Sequence, residues 1–383
     1  MIEAVEGADA QGQPLCVVGG GSNLLATDQP FPGLVVRDAR QEIYVLDEAA
    51  PVEGQERTVQ VGATAGANWD DFVAYCVRMG LAGVEGLSGI PGSVGASVVQ
   101  NIGAYGQDLA QVIQSVEVWD RERKVIQEFS GEQMAFGYRT STLKASMYAA
   151  PGQAAEQFYP TPRYVVLSVT AQLRHSHTGR VDSDQLAKAL GVDLGAQMPT
   201  EQIRKAVLAI RARKGMLEDP YRYQNPWMLG TRQDAHVLAA LEELEGLLEP
   251  VGGLGSEQGQ ELVRNRHSCG SFFTNPIVSQ EEAARLPQEA PRFPTTLPQG
   301  QGQQEVVKTS AAWLIDHAGF HPGFSLPGSH AALSSVHTLA LTNRGGAQAQ
   351  EVFDLAKTIQ EGVQRTYGVT LVPEPVLVGK RSL

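Results

Sequence analysis

The sequence predicts an α+β fold with more than one domain. Runs rich in β-branched residues, among them "PLCVVGGGSNLL" and "RYVVLSVTAQLR", indicate strands. Two other runs, "NWDDFVAYCVRMGLAG" and "TEQIRKAVLAIRARKG", place their apolar residues at helical spacing. The chain has 383 residues, which is longer than an ordinary single domain. We therefore expect strands and helices divided between two or three domains.

Composition and charge describe a soluble globular protein and argue against several classes of partner. Hydrophobic residues make up 42% of the chain and charged residues 19%, which allows a sizeable core. The formal net charge of −12 disfavours nucleic acid or an anionic membrane as the main partner. The first residues lack the pattern of a signal peptide, and no apolar run has the length of a membrane span. We expect a cytoplasmic protein.

The three cysteines, Cys16, Cys76 and Cys269, lie far apart in the chain and form no CxxC pair. An odd number of cysteines at such spacing does not indicate a disulfide framework or a zinc site. We therefore predict no metal.

The elements of the N-terminal half follow one another as strands, glycine-rich loops and one helix. Strands are expected at "GLVVRDA" and "RTVQVGA", and a hairpin at "SVEVWDRERKVIQEFS". The helix in "NWDDFVAYCVRMGLAG" ends near Gly80. Its apolar face consists of Trp69, Phe72, Val73 and Cys76.

The C-terminal half is less regular in its pattern. Residues 216–262 contain one helix-like run, "DAHVLAALEELEGLL", and we interpret them as an insertion or linker. Residues 281–304, with four prolines and "QGQGQQ", predict a flexible loop. The chain then ends with a helix in "QEVFDLAKTIQEGVQRTYG" and a last strand in "VTLVPEPVLVG".

The first chemical motif is "GGGSNLL", which follows a predicted buried strand. Consecutive glycines let backbone N–H groups converge on an anion such as a pyrophosphate. A Rossmann fingerprint, with Asp38 as the ribose carboxylate, is disfavoured because Leu24 replaces its third glycine. Only about a dozen residues separate the loop from the next strand, too few for a crossover helix. A plain tight turn remains the alternative.

The second motif is "GLSGIPGSVGASVVQNIGAYG", residues 86–106. Its six glycines disfavour a helix or a central strand, so we expect an irregular loop. Such a loop lets the backbone approach a large flat ligand closely, and Ser93, Gln100 and Asn101 supply polar contacts. A glycine-rich loop without a ligand is the alternative.

These two motifs together resemble the FAD-binding domain of the vanillyl-alcohol-oxidase type of flavoproteins. Within that group the chain is similar to the UDP-N-acetylenolpyruvoylglucosamine reductase (MurB) family, in its type I form. The family's further blocks follow in the family's order as "FGYRTSTLK", "AIRARKG", "CGSFFTNP", "KTSAAWLIDHAG" and "PEP". The resemblance covers residues 20–215 and 262–380. It implies an α+β fold in which a two-part FAD-binding domain of the vanillyl-alcohol-oxidase type precedes a C-terminal α+β substrate-binding domain.

The resemblance also implies the domain boundaries. Residues 1–40 would form the first FAD subdomain, completed by the last strand at 371–383. Residues 41–215 would form the second FAD subdomain, 216–261 an insertion or linker, and 262–370 the substrate-binding domain. The family's first strand precedes the position of Met1, so we expect a short first subdomain that binds FAD weakly.

The activity that the resemblance implies is that of a UDP-N-acetylmuramate dehydrogenase, an oxidoreductase of peptidoglycan synthesis and cell-wall biogenesis. NADPH reduces non-covalently bound FAD, and flavin N5 then passes hydride to the vinyl carbon of a UDP-N-acetylglucosamine enolpyruvyl ether. We expect a monomer that binds this UDP-sugar and neither nucleic acid nor a membrane. Two alternatives stay open, namely another FAD oxidase of the same superfamily and a non-catalytic binding module.

The implied catalytic residues are Arg139, Ser271 and Glu374. Hydride addition leaves negative charge at C2 and its carboxylate, where a guanidinium such as that of Arg139 is favourable. Ser271 would donate the proton to C2, and Glu374 would assist it. Taken alone, Arg139 is more typical of a surface ion pair than of a catalytic residue. A nucleophilic Cys269 with His267 as its base is the other interpretation of "CGSFFTNP".

The resemblance further implies the residues that hold the ligands. Substrate contacts are expected from Tyr138, Lys214, Asn275 and Lys308. The expected cofactor-binding residues are Gly19, Gly20, Gly21, Ser22, Asn23, Leu24, Gly89, Ile90, Pro91, Gly92, Ser93, Gly95, Ala96, Gln100, Asn101, Gly103, Ala104 and Arg211.

Overall fold

The structure is a computed structural model that describes residues 1–47, 57–148, 159–224, 233–299, 302–379 and 383. The helices of the described residues are α1 Ile2–Ala10, α2 Trp69–Arg78, α3 Val94–Gln100, α4 Thr142–Met147, α5 Asp184–Leu190, α6 Thr200–Ala212, α7 Gln233–Leu248, α8 Glu257–Asn265, α9 Gln280–Arg285, α10 Ala311–His317 and α11 Ala349–Tyr367. The strands are β1 Leu15–Val17, β2 Leu24–Ala26, β3 Leu34–Val36, β4 Ile43–Val45, β5 Thr58–Thr64, β6 Leu81–Ala82, β7 Gly103–Ala104, β8 Gln107–Asp108, β9 Ile113–Asp120, β10 Val125–Ser130, β11 Tyr164–His175, β12 Thr178–Arg180, β13 Gln197–Pro199, β14 Ile277–Val278, β15 Arg292–Gln299, β16 Gly302–Thr309, β17 Ala331–Ser334, β18 His337–Asn343 and β19 Val376–Val378.

The chain divides into two compact units. The first unit contains Met1–Ser22, Phe31–Gln153 and Tyr159–Gln260, and the second contains Asn23–Pro30 and Glu261–Leu383. The residues interpreted as an insertion therefore fall in the first unit up to Gln260. The four-part division expected from the sequence stays a prediction.

The first unit is organised around an antiparallel sheet with the strand order β10-β9-β11-β5-β4. The long strand β11 pairs with β9 on one side and with β5 on the other, so it lies within the sheet. Side chains of the sheet pack with α2 and α3 in one core, which includes Val61, Phe72, Val98 and Val169. Each fully buried side chain of this size contributes about 1.5–3 kcal/mol. The predicted hairpin and the strand in "RYVVLSVTAQLR" are confirmed.

Helix α2 forms where its pattern predicts it. The side chain of its N-cap, Asn68, accepts a hydrogen bond from the N–H of Asp71 at 3.0 Å. Asp70 and Asp71 lie in the first turn and Arg78 in the last, as the helix dipole favours. The apolar face is buried, with Trp69 at 2% exposure.

Helix α1 packs on a small parallel pair formed by β1 and β3. Val5 and Ala8 of the helix share an apolar cluster with Leu15 and Val36 of the two strands. Residues 18–33, all of which the structure describes, contain no helix between these strands. The argument against a Rossmann crossover is therefore confirmed.

Helix α3 contradicts the expectation of an irregular loop over residues 86–106. The Ser93 side chain caps its N-terminus by accepting the Ala96 N–H at 3.3 Å, and Asn101 ends it with φ at +49°. Gly95 allows close packing, because a Cβ there would lie 2.7 Å from the Cβ of Ala65. Gly95 permits this close approach, and the caps offset its low helix propensity.

The second unit has its own apolar core beneath a three-stranded sheet, β14-β16-β15, and the hairpin β17–β18. Its members include Phe272, Phe273, Leu314, Leu333 and Ile359. Strand β19 pairs in parallel with β2, so the end of the chain lies beside Leu24–Ala26. The expected last strand is shorter than predicted, and 380–382 lie outside the described residues.

The prediction of a flexible loop over 281–304 is wrong for the described residues of that range. Helix α9 carries a capping box made by Ser279 and Glu282, and β15 pairs with β16 over its whole length. Pro294 and Pro298 are compatible with β15 because it is an edge strand of its sheet. An edge strand leaves one row of its backbone groups unpaired, so a proline there is tolerated.

The helix predicted in "DAHVLAALEELEGLL" is confirmed as α7, while α8 was not expected. The helices predicted in "TEQIRKAVLAIRARKG" and near the C-terminus are confirmed as α6 and α11. Within the described part of the chain, no helix is long and apolar enough to span a bilayer.

Candidate active site

The two glycine motifs contact each other in the first unit. A Cβ on Gly20 would lie 2.7 Å from the Cα of Gly92, and one on Gly19 would lie 2.6 Å from Ser93 Oγ. Real Cβ atoms essentially never approach so closely. The hydroxyl of Ser22 donates a hydrogen bond to the carbonyl oxygen of Pro91 at 3.0 Å. The contact between the loops therefore requires glycine on the first loop.

The first loop offers backbone donors to an anion. Among the described residues, the N–H groups of Gly19, Gly20, Gly21 and Ser22 donate no hydrogen bond. Gly20 and Gly21 are exposed, and Gly21 has φ at +73° with no atom near the position of a Cβ. Consecutive unpaired N–H groups in a left-handed turn bind phosphate oxygens well. The loop therefore fits a pyrophosphate.

The second loop is held by two carboxylates. Asp70 accepts the N–H of Gly89 at 2.6 Å, and Glu218 accepts the N–H of Gly92 at 2.9 Å. Burial would raise the pKa of Asp70, but two hydrogen bonds from Arg204 hold it below its usual range. Burial raises the pKa of Glu218, because its hydrogen bonds and Arg222 offset the lost hydration only in part. Both glycines have positive φ, which these bonds help to maintain.

Arg211 lies in the last turn of α6 and contacts the same loop, and Lys214 follows just after the end of that helix. Arg211 donates to the carbonyl oxygens of Gly89 at 2.9 Å and Met216 at 2.7 Å. Burial lowers the pKa of Arg211, and burial together with Arg211 lowers that of Lys214. The ammonium of Lys214 donates to Gln185 at 3.2 Å. The structure thus brings Arg211 to the glycine loop, whereas the described side-chain bond of Lys214 goes to Gln185.

Gln100 and Asn101 act as scaffold within the first unit. The amide of Asn101 donates to Gly137 O at 2.8 Å, and its oxygen accepts the N–H of Ala110 at 3.1 Å. Gln100 accepts a hydrogen bond from the ammonium of Lys144 at 2.6 Å. Both side chains are buried, so their described bonds hold the end of α3.

Arg139 lies against the end of the second glycine motif. Its guanidinium donates to Gly103 O at 2.6 Å and Asn101 O at 3.4 Å, and it lies 5.2 Å from the ring centroid of Tyr138. Its φ of +56° is unfavourable for a residue with a side chain. The ammonium of Lys144 donates to its carbonyl oxygen at 3.2 Å. Strain of this kind is often retained at functional sites.

In the second unit, the Ser271 segment pairs with the Glu374 segment. Glu374 N donates to Phe272 O at 2.8 Å, and Thr274 N donates to Val372 O at 3.0 Å. Phe272 and Phe273 are almost completely buried, and their rings meet edge to face at 5.1 Å. The buried aromatic pair therefore fixes the half-buried Ser271 on a segment next to that of Glu374.

The environment of Cys269 argues against a nucleophile. Burial raises the pKa of its thiol to about 12, and the negative charge of Glu374 adds to this shift. A thiol with such a pKa is protonated at neutral pH, whereas a nucleophilic cysteine acts as the thiolate. Cys269 therefore behaves as a partly buried apolar side chain packed against the core of the second unit.

The other predicted residues of the second unit have structural partners. The side-chain oxygen of Asn275 accepts the N–H of Ala311 at 3.0 Å, at the start of α10. Lys308 lies on β16 opposite Ile277 and is half-buried. Asn23 O accepts the N–H of Val376 at 3.0 Å, next to the paired strands β2 and β19.

Two family models match the parts of the chain that contain the glycine motifs and the Ser271 and Glu374 segments. The model described as "FAD binding domain" matches residues 1–127, which include both glycine motifs. The model described as "UDP-N-acetylenolpyruvoylglucosamine reductase, C-terminal domain" matches residues 261–378, which include Ser271 and Glu374.

Curated relatives extend this similarity to the whole chain. UDP-N-acetylenolpyruvoylglucosamine reductase from Thermobifida fusca is 38% identical over 99% of this chain and 90% of its own length. The protein of the same name from Cutibacterium acnes is 38% identical over 99% of this chain and 82% of its own length. This chain belongs to the UDP-N-acetylenolpyruvoylglucosamine reductase family.

The crystal structure of the reductase family member from Thermus caldophilus supports the fold. It matches with a TM-score of 0.51 and 21% identity, covering 99% of this chain and 90% of that chain. The predicted family, the α+β fold class with its FAD-binding domain, and the FAD-dependent reductase of peptidoglycan synthesis are confirmed. The assignment of individual residues to catalysis and binding stays a prediction.

Sequence reasoning missed several residues that organise the site of this reductase family member. Asp70 and Glu218 hold the second glycine loop, and Lys144 holds both Gln100 and Arg139. Lys144 ends the quoted motif "FGYRTSTLK", so its position was a usable signal. No local pattern marks Glu218, because its partner Gly92 lies 126 positions away.

Proposed function

We propose that this chain reduces UDP-N-acetylglucosamine enolpyruvate to UDP-N-acetylmuramate, with NADPH as the reductant of non-covalently bound FAD. The observation that carries this proposal is the pairing of the Ser271 segment with the Glu374 segment. The glycine loops and the strained Arg139 of the first unit support it. We further propose a cytoplasmic monomer that binds neither nucleic acid nor a membrane, as the net charge of −12 favours.

The glycine loops are the proposed cofactor site. When bound, FAD supplies the hydride from N5 that the vinyl carbon of the substrate receives. The N–H groups of Gly19 to Ser22 bind the pyrophosphate oxygens, and Arg211 adds a positive charge beside the second loop. The remaining proposed contacts come from Asn23, Leu24, Gly89, Ile90, Pro91, Gly92, Ser93, Gly95, Ala96, Gln100, Asn101, Gly103 and Ala104.

Arg139 is the proposed electrostatic catalyst. Addition of hydride to C3 develops negative charge on C2 and on the adjacent carboxylate of the enolpyruvyl group. A guanidinium held in one orientation by the carbonyl oxygens of Asn101 and Gly103 stabilises that charge without reorganising. Its planar pair of donors also matches a carboxylate.

Ser271 is the proposed proton donor. Addition of hydride to C3 leaves negative charge on C2 of the enolpyruvyl group. C2 is then basic enough for a neutral hydroxyl to protonate it. Glu374 assists from the neighbouring segment, either as an acid or by polarising the carboxylate. The buried Phe272 and Phe273 limit the movement of the Ser271 backbone, which a positioned donor requires.

The substrate diphosphate and sugar are the proposed ligands of Tyr138, Lys214, Asn275 and Lys308. Burial and Arg211 already lower the pKa of Lys214, so a diphosphate would favour its charged form. Tyr138 is 38% exposed and stacks beside Arg139, which leaves its ring accessible to a ligand.

We expect Arg139→Met to slow the transfer of hydride to the enolpyruvyl substrate by about 10²- to 10³-fold, the usual cost of removing one preorganised electrostatic contact. Reduction of the flavin by NADPH should stay within about twofold of wild type. Both half-reactions are measured by anaerobic stopped-flow absorbance.

The matched control for this variant is Arg163→Met. Arg163 also lies over the ring of a neighbouring tyrosine, with 4.9 Å to the Tyr164 centroid, but it pairs with Asp120. The Arg163→Met variant should leave the rates of both half-reactions unchanged. Equal rates in Arg139→Met and wild type would contradict the role of Arg139.

The proposed function as a whole is tested by mixing the anaerobic protein first with NADPH and then with the enolpyruvyl substrate. NADPH should bleach the flavin absorbance, and the substrate should restore it in the absence of oxygen. Bleaching that only oxygen reverses would favour an oxidase of the same superfamily. A purified protein that stays colourless after incubation with FAD would favour a binding module.

A further inference from the structure

We propose that Glu218 and Arg222, which the reaction itself does not use, position the second glycine loop for the flavin pyrophosphate. The two residues are called the brace here. Both lie in residues 216–224, at the start of the segment that the sequence presents as an insertion. The inference rests on the proposed binding of FAD by the glycine loops.

The brace surrounds one backbone group, the Gly92 N–H, with hydrogen bonds and one ion pair. The Glu218 carboxylate accepts the Gly92 N–H at 2.9 Å and the amide of Asn68 at 2.7 Å. Arg222 Nε lies 3.0 Å from Glu218 Oε2, the oxygen that also accepts the Asn68 amide, and this contact is an ion pair without hydrogen-bond geometry. Arg222 Nη2 donates to Asn68 Oδ1 and to Asp71, each at 3.1 Å. The side chains of Glu218 and Arg222 are each only 17% exposed, so water competes little for these bonds.

Gly92 connects the brace to the first glycine loop. A Cβ added to Gly20 would lie 2.7 Å from the Cα of Gly92. A Cβ added to Gly92 would lie 3.1 Å from Ser22 Oγ. The carbonyl oxygen of Gly92 accepts the N–H of Trp69 at 3.0 Å. The brace therefore holds the Gly92 N–H, and the Cα of Gly92 packs against Gly20 of the proposed phosphate-binding loop.

The brace has a counterpart that does not come from the insertion. Asp70 of α2 accepts the Gly89 N–H at 2.6 Å, and Arg204 of α6 holds this carboxylate through two bonds. Each end of the Gly89–Gly92 turn thus has its own carboxylate and its own arginine. Because the hydrogen bonds from Gly89 and Arg204 to Asp70 do not involve residues 216–224, loss of the brace should loosen the turn without removing it.

If the brace is lost, the second glycine loop adopts the conformation that binds FAD in a smaller fraction of the molecules. Without an acceptor, the buried N–H of Gly92 is unsatisfied, and it regains a partner only if the loop opens to water. A ligand that binds only the closed loop then shows an apparent dissociation constant raised by the inverse of the competent fraction. We expect FAD to bind about tenfold more weakly in the variants, which equals about 1.4 kcal/mol.

The test uses the full-length apoprotein and flavin fluorescence. The dissociation constant and the release rate of FAD are measured for wild type, Glu218→Gln, Glu218→Ala and Arg222→Lys. Glu218→Gln is nearly isosteric but points an amide donor at the donors of Asn68 or Arg222, so it should show the full effect even if Glu218→Ala does not fold. Arg222→Lys keeps the charge and should lie between wild type and Glu218→Gln.

Asp120→Asn is the matched control. Asp120 is a buried carboxylate of the first unit that also accepts backbone N–H groups and pairs with an arginine, Arg163. It should lower the melting temperature without changing the affinity for FAD. Wild-type affinity in Glu218→Gln, or an equal loss in Asp120→Asn, would overturn the positioning role. Failure of the wild-type protein to bind FAD would instead overturn the proposed function.

Discussion

Ser271→Ala should leave the reduction of bound flavin by NADPH at the wild-type rate and slow reoxidation by the enolpyruvyl substrate. The expected loss is about two to four orders of magnitude, the usual contribution of a positioned proton donor. The reason for the asymmetry is that the hydroxyl acts only after hydride has moved. Anaerobic stopped-flow absorbance separates the two half-reactions and measures both rates.

Two further variants make the role of Ser271 specific. Ser271→Cys should keep part of the activity, because a thiol also delivers a proton. Ser279→Ala, which removes the N-cap of α9 in the same unit, should lower stability by about 1 kcal/mol and leave both rates unchanged.

Equal slowing of both half-reactions in Ser271→Ala would mean that Ser271 only supports the fold. A covalent adduct on Cys269 in the mass spectrum would restore the nucleophile interpretation. The raised pKa of that thiol, about 12, predicts that no adduct forms and that Cys269→Ala retains activity.

Gly20→Ala should weaken FAD binding by about a hundredfold, which is the upper range for forcing extra volume into a packed contact. The new methyl group would lie 2.7 Å from the Cα of Gly92, a backbone atom that no rotamer change can move. The two loops must therefore separate, and the N–H groups of the first loop lose their arrangement. Fluorescence titration of the apoprotein with FAD measures the effect.

Gly7→Ala is the control for the same chemical change. Gly7 lies in α1, and no atom lies within 4 Å of a Cβ placed there. This variant should bind FAD like wild type and gain about 0.5–1 kcal/mol of helix stability. If Gly20→Ala binds FAD with wild-type affinity, the proposed cofactor site is wrong.

Local signals in the sequence were sufficient for several elements. The apolar spacing predicted α2, α6, α7 and α11, and the alternation predicted the β9–β10 hairpin and β11. These signals work because helix period, capping and strand alternation depend on residues that are close in sequence. The same locality explains the misassignment of 281–304, where prolines that suggest a loop lie on the edge strand β15.

The motifs determined the family but not which groups of the site contact each other. "GGGSNLL", residues 86–106 and "CGSFFTNP" identified an FAD-dependent reductase before any contact was known. Gln100 and Asn101 stay proposed cofactor contacts, but the motif did not predict their described bonds to Lys144, Gly137 and Ala110. A polar residue in a motif predicts that a partner exists, whereas the partner itself depends on the surrounding packing.

The sequence by itself determined the chemistry that this chain carries: backbone donors at the glycines, a cation at Arg139, and a hydroxyl at Ser271. Only the tertiary structure decided which groups meet. It places Gly20 on Gly92, Glu218 on the Gly92 N–H from 126 positions away, and the Ser271 segment beside that of Glu374. Contacts of this kind depend on how the elements pack in space, and the spacing of residues along the sequence does not determine which of them come close together.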